Sequence, residues 1–155
     1  MNKVEIRQAT INDLSRIQEL NNDLFKLEKE NYDPTLVIDW PLSADGKEYF
    51  EELILNHYVI VATINNNAVA YLAGTINEKG SYEEIAYGEI NNMLVTEQCR
   101  GLGIGKQLID EFKEYCKRNN INNLKVEASA KNLNAINFYK RNGFEDFNVT
   151  LTTKI

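Results

Sequence analysis

The 155-residue sequence predicts an α/β (α+β) fold, a mixed central β-sheet flanked by helices in the order β-α-α-β-β-β-α-β-α-β. Three observations carry this expectation. Short period-two apolar stretches recur, helix-period amphipathic stretches lie between them, and no linker, internal repeat or low-complexity tail divides the chain. One domain over residues 1–155 is expected, since this length buries a core without disulfides or metals.

Val4-Glu5-Ile6-Arg7 alternates as a strand, and Thr10 offers a hydroxyl cap to a helix bearing Leu14, Ile17, Leu20 and Leu24. Across residues 21–47, Asn31, Asp33, Pro34, Pro41, Ser43, Asp45 and Gly46 interrupt any period, which predicts a loop-rich crossover. A short helix over residues 47–56 closes it, with Tyr49, Phe50, Leu53 and Ile54 on one side. Residues 58–63 and 68–74 read as a hairpin around Ile64-Asn65-Asn66-Asn67, because asparagine tolerates the left-handed backbone of a tight turn. Another strand is expected over residues 87–95. Residues 105–117 place Leu108, Ile109, Phe112 and Cys116 on one helical face, residues 124–128 are strand-like, and residues 133–141 are helical until Asn142-Gly143 stops them. Residues 144–152 read as a final strand.

Seventeen basic against 23 acidic residues give a formal charge of −6, the wrong sign for nucleic acid and better suited to a cationic small molecule. No apolar run approaches the roughly 20 residues that cross a bilayer, and residues 1–10 lack the apolar run of a signal peptide. A cytoplasmic protein with no membrane partner is therefore expected. Cys99 and Cys116 stand in no metal-ligand spacing and His57 is the single histidine, so no metal site is expected.

The informative segment is Arg100-Gly101-Leu102-Gly103-Ile104-Gly105-Lys106, between a strand ending at Val95 and an amphipathic helix. Alternate glycines let backbone approach a ligand, and a helix start presents unpaired N–H groups and a positive dipole end to an anion. Arg100 and Lys106 add full charges. Neither common nucleotide signature fits. Gly101 and Gly105 enclose three residues where a P-loop needs four, and Gln107 stands where it needs Ser or Thr. A dinucleotide fingerprint would place its third glycine one residue later than Gly105.

A second motif, Asn132-Leu133-Asn134-Ala135-Ile136-Asn137-Phe138-Tyr139, is followed after three residues by Gly143-Phe144. Together the two motifs resemble the acetyl-CoA signature and the closing motif of the GNAT superfamily of acetyl-CoA-dependent N-acetyltransferases. That resemblance implies a GNAT-like sheet splayed open between the strand ending at Val95 and the strand starting near Leu124. It implies acetyl-CoA as co-substrate and direct attack by a primary amine, of a small molecule or a protein, in a ternary complex. Backbone groups of Met93 and Val95 would bind the pantetheine amides, N–H groups near Leu94 and Val95 would face the carbonyl oxygen, and Gly101 to Lys106 would hold the pyrophosphate. Asn132 would bind the pantetheine side, and Tyr139 would protonate the leaving thiolate.

The family does not keep its base at one position, and Glu89 is the candidate here. On simple alternation it shares a strand face with Asn91 and Met93. An acceptor wall for a cationic amine is expected from Asp23, Glu28, Glu30, Tyr32, Asp33, Asp39 and Trp40. A non-catalytic acyl-CoA-binding module is the alternative reading, and a homodimer joined through residues 148–152 is a further expectation.

Overall fold

The structure, a computed structural model, describes residues 3–155. Five strands form one sheet in spatial order β1-β2-β3-β4-β5, with β1 at Glu5–Gln8, β2 at Tyr58–Ile64, β3 at Asn67–Asn77, β4 at Tyr87–Val95 and β5 at Leu124–Val126. Neighbours from β1 to β4 are antiparallel, while β5 lies parallel to β4 after the crossover helix α3, Ile104–Arg118. Helices α1 (Leu14–Asn31) and α2 (Ala44–Asn56) cover one face, α3 covers the other, and α4 (Leu133–Arg141) follows β5.

The pleat of β2 divides the core. Val59 and Val61 pack with Ile17, Leu20, Phe50 and Leu53 on one side, while Ile60 and Ala62 pack with Leu108, Ile109 and Phe112 on the other. Helix α3 sits close to the sheet because Gly74 and Gly88 lie beneath it. A Cβ at either would stand 2.4 Å from the Phe112 ring or the Cys116 sulfur. The β2–β3 hairpin turns at Asn65 (φ 51°) and Asn66 (φ 63°), the left-handed pair that the asparagine run predicts.

Three expectations are corrected. The first helix does not break near Leu24 but runs to Asn31. Asparagines weaken helices when their amides bond local backbone; here Asn21 Nδ2 donates to the Tyr71 hydroxyl at 2.7 Å and Asn22 Nδ2 to the Ile38 carbonyl at 2.7 Å. Helix α2 begins at Ala44, earlier than its apolar period suggests, because Ser43 Oγ accepts from the Gly46 N–H at 3.1 Å. The expected strand over residues 144–152 is absent, so the observed order ends β-α. Phe147, Val149 and Leu151 stand 74%, 82% and 88% exposed, since β5 is only three residues long and no apolar face meets them. Among the described residues no helix is long and apolar enough to cross a membrane.

A paired contact ties β1 to the first helix. Arg7 donates to both Asp13 carboxylate oxygens at 2.8 and 2.9 Å, and the Thr10 N–H donates to Asp13 at 2.8 Å. The Arg7 hydrogen bonds, chiefly, hold the Asp13 carboxyl below its usual range. A carboxyl depressed on folding adds stability above its unfolded pKa and loses it as pH falls through the folded value. Asp13→Asn is therefore expected to cost about 1 kcal/mol at pH 7, a figure reduced for the half-exposed Arg7, and less at pH 2. Urea unfolding of both proteins at the two pH values measures this.

Candidate active site

The site starts from one extra residue in β4. Gly74 pairs with Ile90 but Ala73 pairs with Asn92, so Asn91 is a β-bulge with no partner on β3. Before the bulge, Gly88 and Ile90 face α3; after it, Met93 and Val95 do. Leu94 joins the α1–α2 core, and Asn92 Nδ2 donates to the Tyr49 hydroxyl of α2 at 3.3 Å. Glu89 thus shares its face with Asn92 and Leu94, not with Met93. The bulge reverses the parity on which the simple alternation rests.

Pairing with β5 ends at the same place, being confined to Gly88–Ile90 against Leu124–Val126. Beyond Ile90 the outer edge of β4 at Met93, Leu94 and Val95 has no strand beside it among the described residues, and the sheet is splayed as expected. Asn92 Oδ1 is buried and has no donor among the described residues.

The glycines then divide into two kinds. Gly101 and Gly103 both have φ of +77°, and a Cβ on either would meet nothing within 4 Å, so backbone shape and not crowding calls for glycine. Gly105 is ordinary in backbone but tight in space: a Cβ there would lie 2.9 Å from the Phe138 ring of α4. Helix α3 starts with Gly103 as its N-cap, no side chain caps it, and its first turn holds no acid. Among the described residues the N–H groups of Gly103, Ile104, Gly105 and Lys106 have no acceptor, which leaves an exposed positive end. Leu102, beside them, is 61% exposed. Arg100 Nε donates to the Val95 carbonyl at 3.1 Å, leaving its two terminal nitrogens unpartnered among the described residues. Lys106 is paired with Asp110 one turn on, so its charge is partly offset.

Asn132 caps α4, its Oδ1 accepting from the Ala135 N–H at 3.1 Å. Its Nδ2 donates to Glu28 of α1 at 3.2 Å, a contact between residues 104 apart in sequence. Burial raises the Glu28 carboxyl, the Asn132 hydrogen bond opposes that, and the Asp33 charge adds to it. Tyr139 lies about two helical turns beyond Asn132, against Phe138 and Phe144 at ring separations of 5.3 and 5.5 Å. Its hydroxyl makes no hydrogen bond among the described residues, and burial, helped by the nearby Glu28 charge, pushes it up to about 12. The three tyrosines Tyr49, Tyr71 and Tyr139 are close enough that Tyr49 and Tyr139 both raise Tyr71, whose largest perturbation is its own burial.

Of the expected acceptor wall, only Glu28 hydrogen-bonds across to α4. Asp33 instead accepts from Thr35, Asp23 lies on the surface 3.9 Å from Lys26, and Glu30 and Asp39 are exposed. Trp40 stacks on Phe25 at 5.8 Å and packs with Tyr49 and Phe50 against the core. Glu89 is hydrogen-bonded by Asn77 and stands 3.8 Å from Lys125, its register partner on β5. The Cys116 thiol is buried and pushed up to about 11, as suits a packing residue. Among the described residues no group of three His, Cys, Asp or Glu is placed to hold a metal. The Glu28–Asn132 contact and the orphaned Asn92 oxygen are the features that sequence reasoning missed. Their only trace there is Glu28 among many surface acids and an Asn91-Asn92 pair inside a strand.

An open strand edge running into an uncapped helix start defines a protein that can lay a long ligand along its sheet with an anionic head at the glycine turn. The chain belongs to the acetyltransferase (GNAT) family, which matches residues 15–144. It is 29% identical over 138 residues to an uncharacterised N-acetyltransferase of Archaeoglobus fulgidus, covering 88% of this chain and 89% of that one. With an uncharacterised N-acetyltransferase of Methanocaldococcus jannaschii it shares 34% over 86 residues, 56% of this chain but only 38% of that longer relative. The fold matches the aminoglycoside N-acetyltransferase AAC(6′)-Iy in complex with CoA with a TM-score of 0.79 at 16% identity, covering 100% of this chain and 96% of that one. A predicted acetyltransferase of Clostridium acetobutylicum, solved with acetyl-CoA, matches with a TM-score of 0.74 at 23% identity over 98% and 96% of the two chains.

The two kinds of glycine make different predictions. Gly105→Val drives a side chain into Phe138 and is expected to cost about 2–3 kcal/mol. Gly101→Ala meets no atoms and pays only backbone strain, about 1 kcal/mol. Urea midpoints of the two variants, compared at equal m-values, measure the difference.

Proposed function

We propose that this protein transfers an acetyl group from acetyl-CoA to a primary amine of a small, cationic acceptor or a protein, by direct attack in a ternary complex. The observation that carries the reading is the uncapped start of α3 lying at the end of an open β4 edge. The outer backbone of Met93 and Val95 receives the pantetheine amides as an added strand would be received. Gly101, Leu102, Gly103, Ile104, Gly105 and Lys106 hold the pyrophosphate, with the terminal nitrogens of Arg100 turned to the phosphate oxygens. The second Nδ2 hydrogen of Asn132 remains for the pantetheine arm. No metal has a part in this reading.

The acceptor side is built from Glu28, Glu89, Tyr49 and Asn92. Glu89 is held by Asn77 and Lys125, which suits it to shape the floor of the cleft. Glu28 is the better base: it is desolvated, raised, and beside both Asn132 and Tyr139. It docks the ammonium and takes one proton, while Asn92 Oδ1 accepts an N–H of the amine. The C–N bond then forms, with the carbonyl oxygen facing N–H groups near Leu94 and Val95, and the C–S bond breaks. Tyr139 gives its proton to the thiolate and recovers one from the amine nitrogen. Donation from a group near 12 to a thiolate of ordinary pKa about 8.5 is uphill, so it is coupled to bond breaking. A cationic acceptor is supported by the two carboxylates and by the aminoglycoside acetyltransferases among the structural neighbours, one of them solved with sisomicin.

Acetyl-CoA and CoA, but not ATP or NAD, are expected to raise the thermal midpoint, about 2.7 kcal/mol being added at 100 times the dissociation constant. Gly103→Asp should abolish the shift, and an equal shift with ATP would overturn the cofactor assignment. A shift without thiol release in an amine screen would leave the non-catalytic acyl-CoA-binding alternative.

Glu28→Gln is expected to lower kcat/KM for the amine about 100-fold with acetyl-CoA affinity kept. Its sign with pH is fixed: Glu28 works ionised, so wild-type activity falls as pH drops through its raised pKa, and the variant loses that limb. Asp33 and Tyr139 face the same carboxylate, so Asp33→Asn is the control that should shift the limb slightly without removing it.

A further inference from the structure

Tyr71 of β3 is wholly buried, yet it carries a hydroxyl that the transfer described above does not use. It stands opposite Leu94 in the register with β4, and Ala73, next to it on the same face, stands opposite Asn92. Tyr71 is therefore the diagonal neighbour of Asn92 on the α1–α2 side of the sheet, beside the stretch of β4 that borders the gap. Asn21 of α1, only 2% exposed, donates from Nδ2 to the Tyr71 oxygen at 2.7 Å. With its oxygen taken from that side, the Tyr71 hydrogen is turned away from Asn21 and has no acceptor among the described residues. Asn21 Oδ1 in turn has no donor among them, so this polar pair is only half satisfied inside the core. Burial holds Tyr71 protonated far above the ordinary tyrosine range, which makes its hydroxyl a lasting donor.

Tyr139 is the group that needs such a donor. Desolvation and the nearby Glu28 charge both oppose a negative oxygen there, and its hydroxyl has no hydrogen bond among the described residues. An acid role nevertheless requires that oxygen to turn negative as the C–S bond breaks. We propose that Tyr71 is a positioning residue for the acid: Asn21 turns its O–H dipole toward Tyr139, and that dipole steadies the Tyr139 oxygen as its proton passes to the thiolate. The inference rests on the acid role of Tyr139 set out above. The Tyr139 O–H bond breaks and an S–H bond forms, the amine nitrogen returns a proton to Tyr139, and Tyr71 keeps its own hydrogen throughout. A dipole fixed before the reaction needs no reorganisation when charge appears, and water screens it little, because Tyr71 and Asn21 are 0% and 2% exposed. The helices hold the arrangement. Asn21 and Glu28 lie two turns apart on one face of α1, and Glu28 is bonded to Asn132, two turns before Tyr139 on α4.

Tyr71→Phe, which removes one oxygen and keeps the ring, tests the proposal. It is expected to lower kcat about 10-fold while KM for acetyl-CoA and for the amine, and the acetyl-CoA thermal shift, stay unchanged. In a Tyr139→Phe background the same substitution should change nothing further, as for two groups that act as a unit. Asn21→Leu combined with Tyr71→Phe removes both partners and leaves no orphaned donor, so it replaces the single variant if circular dichroism shows that one unfolded, with the same loss expected. A readout independent of turnover is the ionisation of 3,5-difluorotyrosine put in place of Tyr139, followed by absorbance in the unliganded chain. Tyr71→Phe should raise its midpoint by about one pH unit. An unmoved midpoint overturns the proposal, and so does an equal fall of kcat in both backgrounds, which would make Tyr71 a packing residue only. A fall with Tyr139→Phe and none with Tyr71→Phe overturns this inference alone, whereas full activity of Tyr139→Phe removes the acid role and this inference with it.

Discussion

Everything at the cleft depends on where β4 stops being an ordinary strand. A sheet interior normally leaves no backbone N–H or C=O unpaired, because burying one without a partner costs as much as a lost hydrogen bond. The exposed bulge at Asn91 leaves one residue of β4 without a partner on β3. It sets pairing with β5 to end at Ile90, turns Asn92 toward Tyr49 and directs Met93 and Val95 to the α3 side. The strand then delivers its unpaired edge straight into the glycine turn. One inserted residue therefore sets the gap, its floor and its direction.

Around that gap, rigidity is supplied by contacts that are close in space and distant in sequence. Gly105 lets α3 meet Phe138 of α4, and Gly74 and Gly88 let α3 settle on the sheet, so the positive helix end is held by packing on two sides. Glu28 reaches from α1 to the cap of α4, joining the N-terminal half of the chain to the half that carries Tyr139. An acidic protein can still present a local positive end in this way. The charge of −6 is spread over its surface, while uncapped N–H groups act at short range in one place.

Much of this was legible beforehand because it depends on local spacing. The asparagine turn, the amphipathic α3, the glycine pattern and the seven-residue step from Asn132 to Tyr139 are properties of neighbouring residues, and each appears where the spacing puts it. Errors arose where a distant partner overrode a local preference. Asn21 and Asn22 stay helical because Tyr71 and the Ile38 carbonyl take their amides. Residues 144–152 have the alternation of a strand but no strand beside them among the described residues.

The sequence by itself determined the kind of sheet, the order of its helices and the glycine turn that opens α3 without a side-chain cap, since period and glycine placement are set by backbone sterics within a few residues. Only the tertiary structure decided which acid is buried against the cap of α4. Glu28 and Asp33 are both acids near the end of α1, yet one is desolvated against Asn132 and the other bonds Thr35 in water, because burial is a property of the packed chain and not of the residue.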